Sequence, residues 1–331
     1  MAGRAGVEQV VREVSAEGEG SVSAGSGALC RGLGRRKLDL VTPADMPAPG
    51  RKVAFGDVAV AAATGLMFVG ALAARSGLVF GVLVLAAIFI PMERVFALRP
   101  QRVLRTGWRT DLVHFVVNNL LTTVLLVAVV VTVGAGLRAA VPGALQAAVG
   151  GQGLGLQLTE AFLLAEVCLY WAHRATHTVP VLWRFHRVHH SIEEMDWLAA
   201  GRVHPVDQAF TRSCVVLPIV ALGFARAAFG AFLVLMTVQA IFIHANVRFR
   251  FGPLRWLIAT PEFHHWHHSG DPAAYNSNFA GEFPVLDLLF GTLHLPSGQM
   301  PDGYGIEESA PEGYLAQLAW PLARAGRPTA R

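Results

Sequence analysis

Charge is scarce in this 331-residue sequence: Asp, Glu, Lys and Arg make up 15% of it. About a quarter is usual in a soluble domain, so the shortage, together with long apolar runs, excludes an ordinary water-soluble domain. Cysteine is scarce too. Cys30, Cys168 and Cys214 are odd in number and far apart, which excludes a disulfide framework, and no thiolate cluster for a metal can be drawn from them. Cys168 and Cys214 fall in apolar segments, where a free thiol packs as a small hydrophobe. Glycine-rich phosphate or dinucleotide fingerprints are missing: GQGLGLQ follows no strand. No repeat of fixed period is present. The net charge of +4 does not indicate a nucleic-acid partner, because the arginines flank apolar runs and are not interleaved with surface aromatics. Residues 1–50 lack the apolar core of a signal peptide and are expected to form a disordered tail.

What is present is apolar and helical in pattern. Apolar segments lie at 55–73, 77–92, 112–135, 156–172, 208–223 and 226–245. Only 112–135 comfortably exceeds the ~20 residues of a full span. The short links ARSG and GFAR make helical hairpins of the first and last pairs, which either cross the bilayer or re-enter it. The expected fold is an all-α integral membrane protein with about four to six membrane-embedded helices and a cytoplasmic, histidine-rich helical cap. Its parts are the tail 1–50, N-terminal membrane helices 51–155, a histidine-motif domain 156–295 and a C-terminal tail 296–331. Arg94, Arg99, Arg102, Arg105 and Arg109 crowd 93–111, whereas the opposite loops hold little more than Arg75 and Arg138. The positive-inside tendency makes 93–111 cytoplasmic and brings every histidine cluster to that same face.

Eleven of the thirteen histidines fall between positions 173 and 268. His173 and His177 form HxxxH, and His186, His189 and His190 form HxxHH. His264, His267 and His268 form a second HxxHH, with His265 inserted. Residues three or four apart share a helical face, so each motif projects its imidazoles together. One tetrahedral ion needs about four ligands, so eight imidazoles suit two ions. Imidazole accepts Zn, Cu, Fe and Ni alike. A redox pair beside a membrane, built without oxidisable thiolates, suggests di-iron oxygen chemistry on a lipid. His244, at the end of the last apolar hairpin, is a candidate ninth ligand. His204 in GRVHPVD is a further candidate, with a cap beside Pro205 as the structural alternative. His265 points off the shared face, and His114 and His294 are expected to be ordinary.

The run YWAHRATHTVPVLWRFHRVHHS, followed by TPEFHHWHHSGDPAAYNSNFAGEFPVLDLLFGT, resembles the fatty acid hydroxylase/sterol desaturase superfamily over about 108–294. The resemblance implies a membrane non-haem di-iron enzyme that uses O2 and external electrons to hydroxylate or desaturate a lipid. It carries the ligand set over to His173, His177, His186, His189, His190, His264, His267 and His268, with His244 in addition. Glu166 stands where the family commonly has Asp. Glu166, Glu193, Asp196 and Asp207 are candidates to accept imidazole N–H groups. Asn276, Asn278 and Asp287 are expected to tie the C-terminal segment under the metals. Trp171, Trp183, Trp197, Trp256 and Trp266 suit an interfacial belt.

A sterol, a fatty acyl chain or a related isoprenoid or ether lipid is the expected substrate, drawn from the bilayer. No fused haem or reductase domain is visible, so electrons from NAD(P)H are expected through a separate ferredoxin or cytochrome with its reductase. Arg187, Arg248, Arg250 and Arg255 are placed to meet lipid headgroups or an acidic donor. The competing reading is a non-catalytic metal-binding or metal-transporting membrane protein.

Overall fold

The computed structural model describes residue 69 and residues 77–323, and the expected tail 1–50 and the apolar segment 55–73 lie outside the described residues, apart from residue 69. Every regular element is helical, and no strand occurs among the described residues. Helix α1 covers Gly77–Val95. A continuous 33-residue helix, α2, follows over Trp108–Ala140. It contains two π-helical turns, at His114–Asn118 and Val130–Gly134. Helix α3 (Gly143–Gly150) leads into α4 (Leu154–Thr178) and then α5 (Pro180–His190). The closing hairpin is α6 (Pro205–Leu222) and α7 (Arg226–Phe242). Three short helices complete the chain: α8 (Pro261–His267), α9 (Val285–Leu289) and α10 (Tyr314–Ala319).

Three of these helices, α2, α4 and α6, are long and apolar enough to cross a membrane, and α7 is a shorter apolar helix. Large apolar side chains such as Leu120 (63% exposed) and Val124 (65% exposed) line the outside of α2, a face suited to lipid and not to water. Inside, α4, α6 and α7 meet through Ala161, Ala165, Val215, Ile219 and Phe232. A second core joins Phe89 of α1 and Phe115 of α2 to Trp197, Ile241 and Val247.

Local sequence sets where the helices break, and so where the histidines point. Proline disfavours the helical conformation in the residue before it and suits the first helical turn itself. Val179 is accordingly extended (φ −93°, ψ 114°), so α4 stops and Pro180 starts α5. Thr260 caps α8 by accepting the N–H of Phe263, with Pro261 and Glu262 in the first turn. Gly223, at φ 79°, takes the left-handed conformation that closes α6 and turns the chain into α7.

The segment 296–323 is not a loose tail. The backbone of Gly270 donates to Gly303 O and that of Gly305 to His268 O, so this strip lies beside the end of α8. Further on, Tyr314 donates to Asn118 Oδ1 and Gln317 Oε1 sits 2.9 Å from His114 Nε2, docking α10 on the start of α2. Arg187 is held by Glu308 at 2.5 Å and lies over the Trp320 ring at 4.2 Å. It is therefore buried and not free at the surface. Trp197 and Trp266 are likewise core residues, 6% and 5% exposed, whereas Trp171 and Trp256 are exposed as a belt requires.

Candidate metal centre

The three histidine motifs converge on two adjoining groups. His173, His177, His186, His190 and His267 form one, and His189, His244, His264 and His268 form the other; within each, ligand atoms lie within 4.8 Å of one another. Both groups draw on the same two short helices. On α5, His186 and His190 turn to the first group while His189 turns to the second. On α8, His267 serves the first, while His264 and the cap residue His268 serve the second. Spacings of three and four fix this division, because each HxxHH motif wraps nearly one turn. The last residues of α4 supply His173 and His177, and the turn after α7 supplies His244. The His190 and His268 rings stack across the groups at 4.4 Å.

The tautomers follow from the outer ring nitrogens. His173 Nδ1 lies 2.8 Å from Phe279 O, His267 Nδ1 2.8 Å from Ser277 O, His189 Nδ1 3.1 Å from Arg202 O and His244 Nδ1 2.6 Å from Ala240 O. A carbonyl only accepts, so each of these Nδ1 atoms donates and each Nε2 of a neutral ring carries a lone pair. His186 Nδ1 makes the corresponding contact with Asp207 Oδ2 at 2.9 Å.

The Nε2 atoms crowd together, and between His189 and His244 two such lone pairs face each other. His244 Nε2 is 3.2 Å from His189 Nε2 and 3.1 Å from His264 Nε2, and His268 Nε2 is 3.2 Å from His264 Nε2. In the first group His190 Nε2 and His186 Nε2 are 3.2 Å apart, and the buried Nε2 atoms of His177 and His267 have no hydrogen-bond partner. Protons do not resolve the conflict. Burial, and after it the neighbouring imidazoles, holds His190, His264 and His268 well below the ordinary histidine range. Burial pushes His244 down to about 4 and His267 to about 3. Inward-facing imidazole nitrogens this close together fit divalent first-row metal ions, and nine donors in two groups fit two ions.

Several expected site residues are placed differently. His204 is in neither group: its Nδ1 accepts the N–H of Val206 as the cap of α6, and its Nε2 meets Leu318 O at 3.1 Å. With both nitrogens engaged, it is a structural histidine and the expectation of a ligand is corrected. Glu166 does not reach an imidazole. Its carboxylate accepts the N–H groups of Glu282 at 2.9 Å and Phe283 at 3.2 Å, and so anchors the loop that carries Phe279 O. Asp196 pairs with Arg105, and Glu193 is exposed. Asp207 alone of the four carboxylates receives an imidazole hydrogen bond. Asn278 and Asp287 form the expected ties. Asn278 binds the backbone of Phe263 and His294, and Asp287 accepts from Phe279 N and Ala280 N. Asn276 is exposed, and its contribution is the left-handed backbone at φ 57°.

His265 turns away from both groups, as its register suggested, and its Nδ1 lies 2.8 Å from Tyr304 Oη. His114 is held by Asn118 and Gln317, and the His294 ring packs edge-on against Trp266. Sequence reading missed the carbonyls of Ala240, Arg202, Ser277 and Phe279. A backbone acceptor has no signature in side-chain identity, so these were not available to be found.

Two adjoining polyhistidine groups that could hold metal, beside helices apolar enough to cross a membrane, define the class. Residues 158–292, which hold all nine grouped histidines, match the family model described as fatty acid hydroxylase. The chain is 37% identical over 177 residues to the ornithine lipid hydroxylase OlsE of Rhizobium tropici, covering 53% of each protein. It is 32% identical to human alkylglycerol monooxygenase over 40% of this chain and 29% of that protein. A very-long-chain aldehyde decarbonylase, GL1-11 of Oryza sativa subsp. indica, is 27% identical over 40% of this chain and 50% of that one. The chain thus spans about half or less of the length of these curated relatives. No solved structure matches it.

Proposed function

We propose that the protein is a membrane-bound non-haem di-iron oxygenase. It hydroxylates or desaturates an unactivated C–H bond in the acyl or alkyl chain of a bilayer lipid, with O2 as co-substrate. Electrons come indirectly from NAD(P)H through a separate donor, a ferredoxin or a cytochrome with its reductase. One observation carries this reading: the two imidazole groups are interleaved on the same helices, α5 and α8, so that two ions would lie side by side and act together. Two unrelated structural sites have no need of shared helices, and a transport path would string its ligands along a span. The names of the relatives, a lipid hydroxylase and a lipid monooxygenase among them, favour iron over zinc and a lipid over a soluble substrate.

Iron held by the nine histidines would supply O2 activation and C–H oxidation. The protein's own part is positioning and exclusion of water. His173, His186, His189, His244 and His267 are locked in one tautomer through Nδ1, so their Nε2 atoms need no reorganisation to bind metal. The Trp183 ring lies 5.2 Å from that of His177, and Phe279 lies 5.2 Å from the same imidazole, walling the first group with apolar surface. The apolar outer face of α2 is consistent with contact with lipid, which supports sideways entry of substrate from the bilayer. The arginine-rich segment 93–111 argues for a cytoplasmic active-site face.

Elemental analysis after anaerobic iron loading, with O2 uptake and lipid mass spectrometry, tests the reading. About two irons per chain and lipid-dependent uptake are expected, as eight or more imidazoles exceed one ion's needs. Products gaining one oxygen indicate hydroxylation, and products losing two hydrogens indicate desaturation. One tightly held zinc with no iron-dependent O2 uptake would reject it.

A further inference from the structure

Four buried charges outside the histidine groups form one connected unit. Arg105 grips Asp196 twice, from Nε to Oδ2 and from Nη2 to Oδ1, each at 2.7 Å, and its Nη2 also reaches Asp111 Oδ2 at 2.6 Å. The other Asp111 oxygen accepts from Arg202 Nε. Two arginines balance two aspartates, and none is more than 8% exposed. Nothing in the proposed chemistry uses this unit directly, yet it ends on a ligand. Arg202 Nη1 reaches Ser191 O at 3.3 Å, just past the end of α5, and Arg202 O accepts His189 Nδ1–H at 3.1 Å. Asp196 Oδ1 meanwhile accepts Ala199 N–H at 2.8 Å, fixing the turn that delivers Arg202.

We infer that Asp111, with Arg105 and Asp196, is a positioning device for the second metal: it holds Arg202 so that its carbonyl keeps the hydrogen of His189 on Nδ1 and the lone pair of Nε2 aimed at His244, His264 and His268. The inference rests on the reading that both histidine groups hold metal. Its chemistry is local. The first group uses different acceptors, Phe279 O, Ser277 O and Asp207, none of which touches Arg202. Loss of Asp111 frees the Arg202 guanidinium, and the carbonyl that selects the His189 tautomer loses its fixed place. Outer partners of metal-bound histidines are worth about 10–100-fold in metal affinity, so that loss should fall on the four-histidine group alone.

The test is anaerobic titration of the metal-free full-length protein with Co2+, followed by visible absorption, with elemental analysis after iron loading. His189→Ala and His173→Ala serve as references for damage to the second and first groups. Asp111→Asn should weaken one binding step about 10–100-fold, matching His189→Ala, and leave the other step unchanged. Arg202→Lys keeps a cation beside Asp111, so it strands no buried carboxylate and tests the same contact if Asp111→Asn fails to fold. It loses the Ser191 contact and should weaken the same single step, while Asp111→Glu should restore part of the loss. Two unchanged steps in the variants would overturn the inference, and so would equal weakening of both, which is what a merely structural role would produce. Wild-type protein that binds only one ion, or none, would instead reject the two-metal reading itself.

Discussion

Asp207 Oδ2 lies 2.9 Å from His186 Nδ1, the one carboxylate–imidazole pair among the described residues. Every other tautomer-fixing contact in the two groups is to a neutral backbone carbonyl. An anion behind the ring makes Nε2 a stronger donor, so the first group has a more electron-rich ligand than any in the second. The two histidine groups are therefore inequivalent as ligand sets.

That asymmetry sets a first expectation. Asp207→Asn keeps an acceptor for Nδ1–H but removes the charge, and should lower metal affinity in the five-histidine group about 10-fold. Asp207→Ala, which leaves Nδ1–H buried without a partner, should cost more. Metal titration should show the change in one binding step only; equal affinities in all three proteins would show that the carboxylate does not tune the site.

His204 and His244 were similar in sequence, each solitary and near a helix end, but they have opposite roles here. His204→Ala should retain both metals and lose about 1 kcal/mol of stability, the usual worth of a helix cap. His244→Ala should lose metal from the second group. Iron content and thermal unfolding, measured on both variants, separate the two. Metal loss with His204→Ala would return that residue to the ligand set.

His265 adjoins His264 in sequence yet faces Tyr304. Replacing it with Ala leaves the Tyr304 hydroxyl unpaired in a buried setting, a cost of about 1–3 kcal/mol. Iron per chain should stay at the wild-type value while Tm falls. A variant with lower iron and unchanged Tm would contradict the assignment.

Acid should destabilise the metal-free protein. In the unfolded chain each imidazole takes a proton near its ordinary value of 6.5, but in the fold His244 does so only near 4, and His265 and His267 near 3. Between those limits the unfolded state binds more protons, so stability falls as pH falls, by about 1.4 kcal/mol per pH unit for each such histidine. Denaturation in detergent should give decreasing midpoints below about pH 6.5, where the lowered histidines outnumber the buried carboxyls of Glu93 and Glu282, which shift the opposite way. A flat profile from pH 7 to 5 would mean that these rings are already protonated or open to solvent.

The ligand groups were legible because they rest on local periodicity. His186, His189 and His190 occupy one turn of α5, and their spacing alone says which pairs share a face. The hairpin of α6 and α7 was equally plain from two apolar runs and a glycine. What failed was the choice between local roles. His204 precedes Pro205, and that order is also a helix-start signal, which is what it proved to be. Glu166, two turns before His173, was well placed to accept an imidazole N–H. The loop 279–283 arrives there instead, over a sequence separation of more than a hundred residues, and no pattern along the chain announces such a meeting. The segment 296–323 reads as glycine- and proline-rich tail because its contacts are made one residue at a time, by Tyr304, Glu308, Tyr314 and Gln317.

The placement of that segment has a consequence for how the protein is made. All nine grouped histidines lie between residues 173 and 268, whereas the strip that pairs with the end of α8 and docks on α2 comes later, over residues 303–317. During translation the imidazoles leave the ribosome before the stretch that pairs with the end of α8. Any early arrangement of the ligands therefore forms without the contacts that Tyr304, Tyr314 and Gln317 make in the finished fold.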